Sequence, residues 1–289
     1  MFTALGRGYV GNSAGDFLSE IDAISLRETA RIKVGIAPMG VGIVPGDAFL
    51  LASNSGSNTV SVVDLGTRTE IAQVPVGREP RHMAVNKDGT FAYVAVSGGD
   101  YISRIDISAL SAGRSVSAVR EVARISVGSG AAPYSVALTK DGLLALAANN
   151  QADYASLIDT TTDSVIANID LGSKGGRGAG FAPDGLTGFI SIEDVSELVA
   201  IDVASRAVVS RFPTNPGPRG FTIDEDTFKM YIAGFSRTGA STLATVKSPN
   251  AITVINLASS RFTAFATAQP TYQEVLVGAG PCSVTLFKI

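Results

Sequence analysis

Along this chain apolar residues come in short bursts, each closed by polar residues or glycine, as in Ala48-Phe49-Leu50-Leu51-Ala52 and Leu143-Leu144-Ala145-Leu146-Ala147-Ala148. Consecutive rather than alternating apolar positions predict strands covered on both faces. No burst approaches the ~18 residues that a membrane-spanning helix needs. Asp88-Gly89, Asp141-Gly142 and Asp184-Gly185 each lie between two apolar runs and predict tight hairpins.

The bursts repeat. An acidic or amide residue ends similar segments at Asp22, Asp64, Asp106, Asp159, Asp202 and Asn256, as in Ser61-Val62-Val63-Asp64 and Ser156-Leu157-Ile158-Asp159. The basic step is 42 residues, lengthened where loops are inserted. Glycine and proline recur behind these positions: Gly35 and Pro38, Gly77 and Pro80, Gly128 and Pro133, Pro216 and Pro218, Gly278 and Pro281, with Gly172 and Gly176 in the fourth copy. A periodic unit of four short strands predicts a propeller blade.

The expected fold is therefore all-β: a six-bladed β-propeller of four-stranded antiparallel blades, forming a single domain over 1–289. Its blades fall at about 34–75, 76–126, 127–170, 171–213, 214–267, and 268–289 joined to 1–33. Residues 1–33 supply three strands and Cys282–Ile289 the fourth, so the C-terminal strand joins the N-terminal blade and closes the ring.

The glycine–proline spacing, the Asp-Gly turns, Tyr93-Val94, and Ser61-Val62-Val63-Asp64 after Asn54 resemble the YVTN-repeat β-propeller family over nearly the whole length. That family is commonly seven-bladed, so the chain departs from it by one blade. The Tyr-Val pair is clear at Tyr9 and Tyr93 and loose at Tyr231, and with no Trp the WD-type signature is absent. The wider relatives implied by the resemblance include surface-layer proteins, sugar lactonases, a streptogramin lyase and haem-d1 domains. Fold alone therefore leaves function open.

Composition narrows the chemistry. Cys282 is the only cysteine and His82 the only histidine, which excludes an internal disulfide and a His/Cys zinc or copper site. A net charge of -3 gives no general attraction to nucleic acid or acidic lipid. Despite a mean hydropathy of +0.27, no membrane span is expected. The start lacks a cationic, then apolar leader, so the expected location is cytoplasmic, or secreted if a leader has been removed.

In a propeller the first strand of each blade lines the channel. Counting seven residues back from the turn aspartates Asp88, Asp141, Asp184 and Asp226 gives Arg81, Tyr134, Arg177 and Arg219; alignment on the prolines adds Met39 and Cys282. Three guanidinium groups at one level repel unless an anion lies between them. One reading is a pocket for a carboxylate or phosphate; the other is a solvated rim whose arginines pair with Glu79, Asp100, Asp153, Glu193 or Asp194. His82 follows Arg81 where the other copies have Gly40, Ser135, Gly178, Gly220 and Ser283. It reads as a general acid or base, or as filler between blades. Tyr134 is a proton donor or a capping aromatic, and Cys282 reads as a buried small hydrophobe.

The loops after each second strand share this mouth. Their repeated Asn12, Asn54 and Asn149 read as turn caps, and a calcium site is weakly signalled. An insertion at 235–249 falls on the pocket side as a candidate lid, and one at 108–120 on the opposite face. The glycine-rich 172–178 segment lacks the following helix that a phosphate loop requires.

The favoured expectation is a cofactor-free and metal-free enzyme that binds an anionic small-molecule substrate. Its acid–base chemistry would be of lyase, isomerase, cyclase or lactonase type, with His82 and Tyr134 catalytic and Arg81, Arg177, Arg219, Met39 and Cys282 binding. The alternative is a non-catalytic propeller that docks a protein. Nucleic acid and membrane are not expected partners, and the chain is expected as a monomer or weak homo-oligomer.

Overall fold

The structure, a computed structural model, describes residues 3–4, 6–111, 116–224, 226–227, 229–235, 250–256 and 272–276. The chain is an all-β, six-bladed propeller. Blade six is three-stranded among the described residues, with β1 (Arg7–Gly11), β2 (Phe17–Asp22) and β3 (Arg27–Lys33). Blade one holds β4 (Pro38–Ile43), β5 (Phe49–Asn54), β6 (Thr59–Asp64) and β7 (Thr69–Pro75). Blade two holds β8 (Pro80–Val85), β9 (Phe91–Val96), β10 (Tyr101–Asp106) and β11 (Arg120–Ser126). Blade three runs through β12 (Pro133–Leu138), β13 (Leu144–Asn149), β14 (Tyr154–Asp159) and β15 (Ser164–Asp170). Blade four has β16 (Gly176–Phe181), β17 (Thr187–Ile192), β18 (Glu197–Asp202) and β19 (Ala207–Pro213). Blade five has β20 (Pro218–Asp224), β21 (Lys229–Phe235), β22 (Asn250–Asn256) and β23 (Tyr272–Leu276). Every pairing among the described residues is between sequence neighbours and antiparallel.

β23 pairs with β22 and so carries blade five to 276 rather than 267. Long connections on both sides of β22 push its outer strand later than the spacing indicates. The expected closing strand, Cys282–Ile289, lies outside the described residues.

The consecutive apolar runs have a physical cause. Leu51 and Val62 of blade one pack with Met83, Val94 and Ile105 of blade two, while Leu50, Ala52 and Val63 turn to Tyr9, Leu18 and Ile32 of blade six. Each of blades one to four is thus a filling between two interfaces, the same arrangement recurring between blades two and three, three and four, and four and five. The repeated aspartates are turn caps. Asp22, Asp64, Asp106, Asp159 and Asp202 each accept a backbone N–H from the turn that follows.

Polar ties cross the outer seams too. Arg68, in the β6–β7 turn, donates 2.8 and 3.1 Å hydrogen bonds to the buried Glu20 of blade six, and Arg104 of blade two pairs with Asp163 of blade three at 2.7 Å. The 108–120 insertion of blade two forms a one-turn helix, α1 (Ser108–Ser111), and a short 3-10 turn. Its Ala109, Leu110 and Val119 are buried against blade one, which makes the insertion part of the core between these blades.

Candidate functional site

Two backbone features put particular side chains at the channel mouth. Ala37, Glu79 and Ala132 adopt φ of 54°, 54° and 48°, and Gly175 and Gly217 take 95° and 64° at the same place in their blades. A left-handed residue there turns the chain from the blade connection into the first strand. The pairing of first with second strand then slips just after it, between Pro38 and Gly40, Pro80 and Met83, Pro133 and Ser135, Gly176 and Ala179, and Pro218 and Phe221. Such bulges re-aim side chains. The residues they release are Met39, Arg81, Tyr134, Arg177 and Arg219.

These five residues line one cavity of about 490 Å³. The sixth position, Cys282, and nearly all of the candidate lid, 236–249, lie outside the described residues. Ser97, Asn150 and Glu193 follow their second strands in equivalent places, their backbone N–H groups bonding to the carbonyls of Glu79, Ala132 and Gly175; Ser97 and Asn150 line the cavity, and Glu193 stands behind Arg177 and Arg219. Phe235 is the corresponding residue of blade five and bonds to Gly217. This second ring was visible in the sequence only as the position after an apolar burst.

Two of the arginines share one acid. Arg177 binds one oxygen of Glu193 through Nε, and Arg219 binds the other at 2.8 Å, so a single carboxylate joins blades four and five. Burial works against the Glu193 charge, but hydrogen bonds and charge from Arg219 and Arg177 outweigh it and hold its pKa below the ordinary carboxylate value. Arg219 also lies 4.0 Å over the Phe235 ring, and Arg177 lies 4.3 Å over Tyr134. Arg81 is different. Its guanidinium donates to Glu79 at 2.8 Å, but that carboxylate is 56% exposed and its charge is correspondingly screened. Arg81 Nε is buried with no hydrogen-bond partner. Among the described residues, three guanidinium groups thus meet two carboxylates at the mouth, of which Glu193 is the better sheltered. Asp100, by contrast, accepts the backbone N–H groups of Gly130 and Ala132.

His82 is not among the residues lining the cavity. Its ring packs on Tyr134 of the next blade, centroid to centroid 5.4 Å at 44°. Close packing round the imidazole, and then the positive fields of Arg81, Arg177 and Arg219, push its pKa from 6.5 down to about 4. At neutral pH it is an uncharged ring and a weak base. Asn54 and Asn149 are fully buried and donate to Ser61 and Ser156, as turn-anchoring groups do. The 172–178 segment runs directly into β16 with no helix. Among the described residues no group of three or more His, Cys, Asp or Glu side chains is placed to hold a metal, and no helix is long and apolar enough to cross a membrane.

Comparison with known proteins adds a partial family match and a fold. No curated protein matches the chain. Kuenenia stuttgartiensis Hydrazine Synthase shares the architecture at a TM-score of 0.78 over 98% of this chain and 90% of that one, and at 21% identity the likeness is one of fold. Residues 11–112 match the family described as "Lactonase, 7-bladed beta-propeller". That stretch carries Met39, Arg81 and His82 but ends before Tyr134, Arg177 and Arg219, and it belongs here to a propeller of six blades.

Proposed function

We propose that the channel mouth binds a small organic anion, a carboxylate or phosphate, held by Arg81 and Arg177 beside the Tyr134 ring. The carrying observation is Arg81: its Nε is buried without a partner on the wall of a 490 Å³ cavity, and its one acidic neighbour is exposed. A ligand carboxylate would pair with the part of the Arg81 guanidinium that faces the cavity, through a charge-assisted hydrogen bond. The wall differs from blade to blade, as an asymmetric small molecule requires. A protein-docking role has less support, because the large exposed apolar side chains, such as Ile24, Ile71, Val122, Leu143 and Leu186, are spread over five blades.

The test is calorimetric titration of the full chain with a panel of organic acids. Arg81→Ala should weaken the best binder by about tenfold or more, the scale of one charge-assisted bond. Its partner Glu79 is left in water, so the fold should tolerate the change. Unchanged affinity for every acid that binds would overturn the reading.

The match over 11–112 favours a second, catalytic reading: opening of a lactone, whose product is a hydroxycarboxylate. Water would add to the carbonyl, Arg81 and Arg177 would stabilise the oxyanion formed there, and Tyr134 between them would give its proton to the ring oxygen as the C–O bond breaks, regaining one from the added water. His82 would serve as a neutral support behind Tyr134, because a group titrating at about 4 is a poor proton carrier at neutral pH. Continuous titration of acid released from simple lactones, with Tyr134→Phe as the comparison, tests this. Hydrolysis undiminished in that variant would remove Tyr134 from the chemistry.

A further inference from the structure

The geometry points to Glu193 as the residue that sets the charge of ligand the mouth accepts, favouring a monoanion over a dianion. The inference rests on the reading of the mouth as an anion site and deepens it. Glu193 occupies a place that recurs in every described blade with a second strand of the same register: Ser55, Ser97, Asn150 and Phe235 stand there elsewhere, each donating its backbone N–H to the left-handed residue before the first strand. Four of these five residues carry no charge. The acid in blade four is therefore a choice of side chain at a position that the backbone fixes regardless.

Its two oxygens are divided between neighbouring blades, one on Arg177 and one on Arg219, and its side chain is 19% exposed. Without it, the exposed Glu79 would be the acid paired with these three guanidinium groups among the described residues. With it, one positive charge of the Arg177–Arg219 pair is offset in a sheltered setting, and with Glu79 counted the remaining excess is close to one positive charge. A carboxylate balances that excess. A phosphate dianion would bring a second negative charge toward Glu193, whose sheltered side chain screens the repulsion less than a surface acid would. Glu193 does not need to touch the ligand; it acts through Arg177 and Arg219 as a positioning and charge-setting residue.

Benzoate and phenyl phosphate at mildly alkaline pH share a ring and differ in charge, and both are small enough for the cavity. Their dissociation constants should be measured on the wild-type chain and on Glu193→Gln, which keeps the shape and one of the two accepting oxygens. The wild type should favour benzoate. The variant should shift the benzoate-to-phosphate affinity ratio toward the dianion by about tenfold. His82, the sole histidine, gives an independent reading, since its imidazole resonances need no assignment. In Glu193→Gln its pKa should stay at or below the wild-type value of about 4, because a negative charge has left its surroundings. A return toward 6.5 would mean that Glu193 acts by holding the packing together, and would overturn the charge-setting role. An unchanged affinity ratio with both anions still bound would also overturn it, while leaving the anion site intact. Failure of the wild type to bind either anion in this mouth would remove the anion site itself, and the inference with it.

Discussion

At the seam between blades one and two, Gly40 lies against the backbone of Arg81, and Ser53 accepts the Gly40 N–H at 2.8 Å while donating to the Arg81 carbonyl. The seam between blades four and five repeats this with Gly178, Ser191 and Arg219, the Ser191 bond to the Arg219 carbonyl being 2.6 Å. At the seam between blades two and three the same positions hold His82 and, by the pairing of Met83 with Val94, Ala95. There a ring packed on Tyr134 replaces a glycine and a hydroxyl. Both devices fix the backbone of the next mouth residue, one by hydrogen bonding at close approach and one by filling volume. The difference teaches that where the glycine–serine pair stands, the next blade presents an arginine by its own carbonyl. Where histidine stands, the next blade presents an aromatic ring.

The sharpest way to break this comparison is Gly178→Ala. A Cβ there would stand 2.4 Å from the Arg219 carbonyl oxygen, a backbone atom that cannot swing away. The expected loss is about 1–3 kcal/mol of stability in urea denaturation, with Arg219 displaced from Glu193. Ser135→Ala at the equivalent position of blade three removes a buried hydroxyl that has no partner and should be close to neutral. Equal costs would show that the close approach of Gly178 to the Arg219 carbonyl carries no particular weight.

Next in size is a pH effect confined to the His82 seam. The unfolded chain takes up a proton at His82 near 6.5, whereas the folded chain resists until about 4. Unfolding therefore binds a proton in that interval. Stability contributed at His82 is full above pH 6.5 and falls as pH drops toward 4, by up to about 3 kcal/mol. His82→Gln should flatten that part of the stability–pH curve, read as the difference between the two chains so that common carboxylate titrations cancel. Parallel curves would refute it.

The smallest effect is Ser191→Ala, which frees the Arg219 carbonyl and the Gly178 N–H. A loss of about 1 kcal/mol is expected from thermal or urea unfolding, together with weaker anion binding. Stability loss with binding untouched would separate the seam from the site.

The ring of mouth residues was legible in the sequence because blades two to four have the same length from bulge to hairpin, so counting back from a turn aspartate finds Arg81, Tyr134 and Arg177. Glu79 and Glu193 could be named only as possible partners. Whether an acid reaches an arginine on another blade depends on how the blades are rotated about the axis, and no local pattern encodes that. His82 shows the same limit. Its oddity among glycines and serines was plain, but its neutrality follows from burial and from three guanidinium groups that converge only in the folded ring.

By itself the sequence determined the blades: two-faced apolar strands, aspartate-capped turns and a regular step, all set by interactions within some forty residues. Tertiary structure alone decided the chemistry of the mouth. Charge neutralisation at Glu193 and loss of the proton from His82 are sums over side chains far apart in the chain, and such sums exist only once the blades have packed around a common axis.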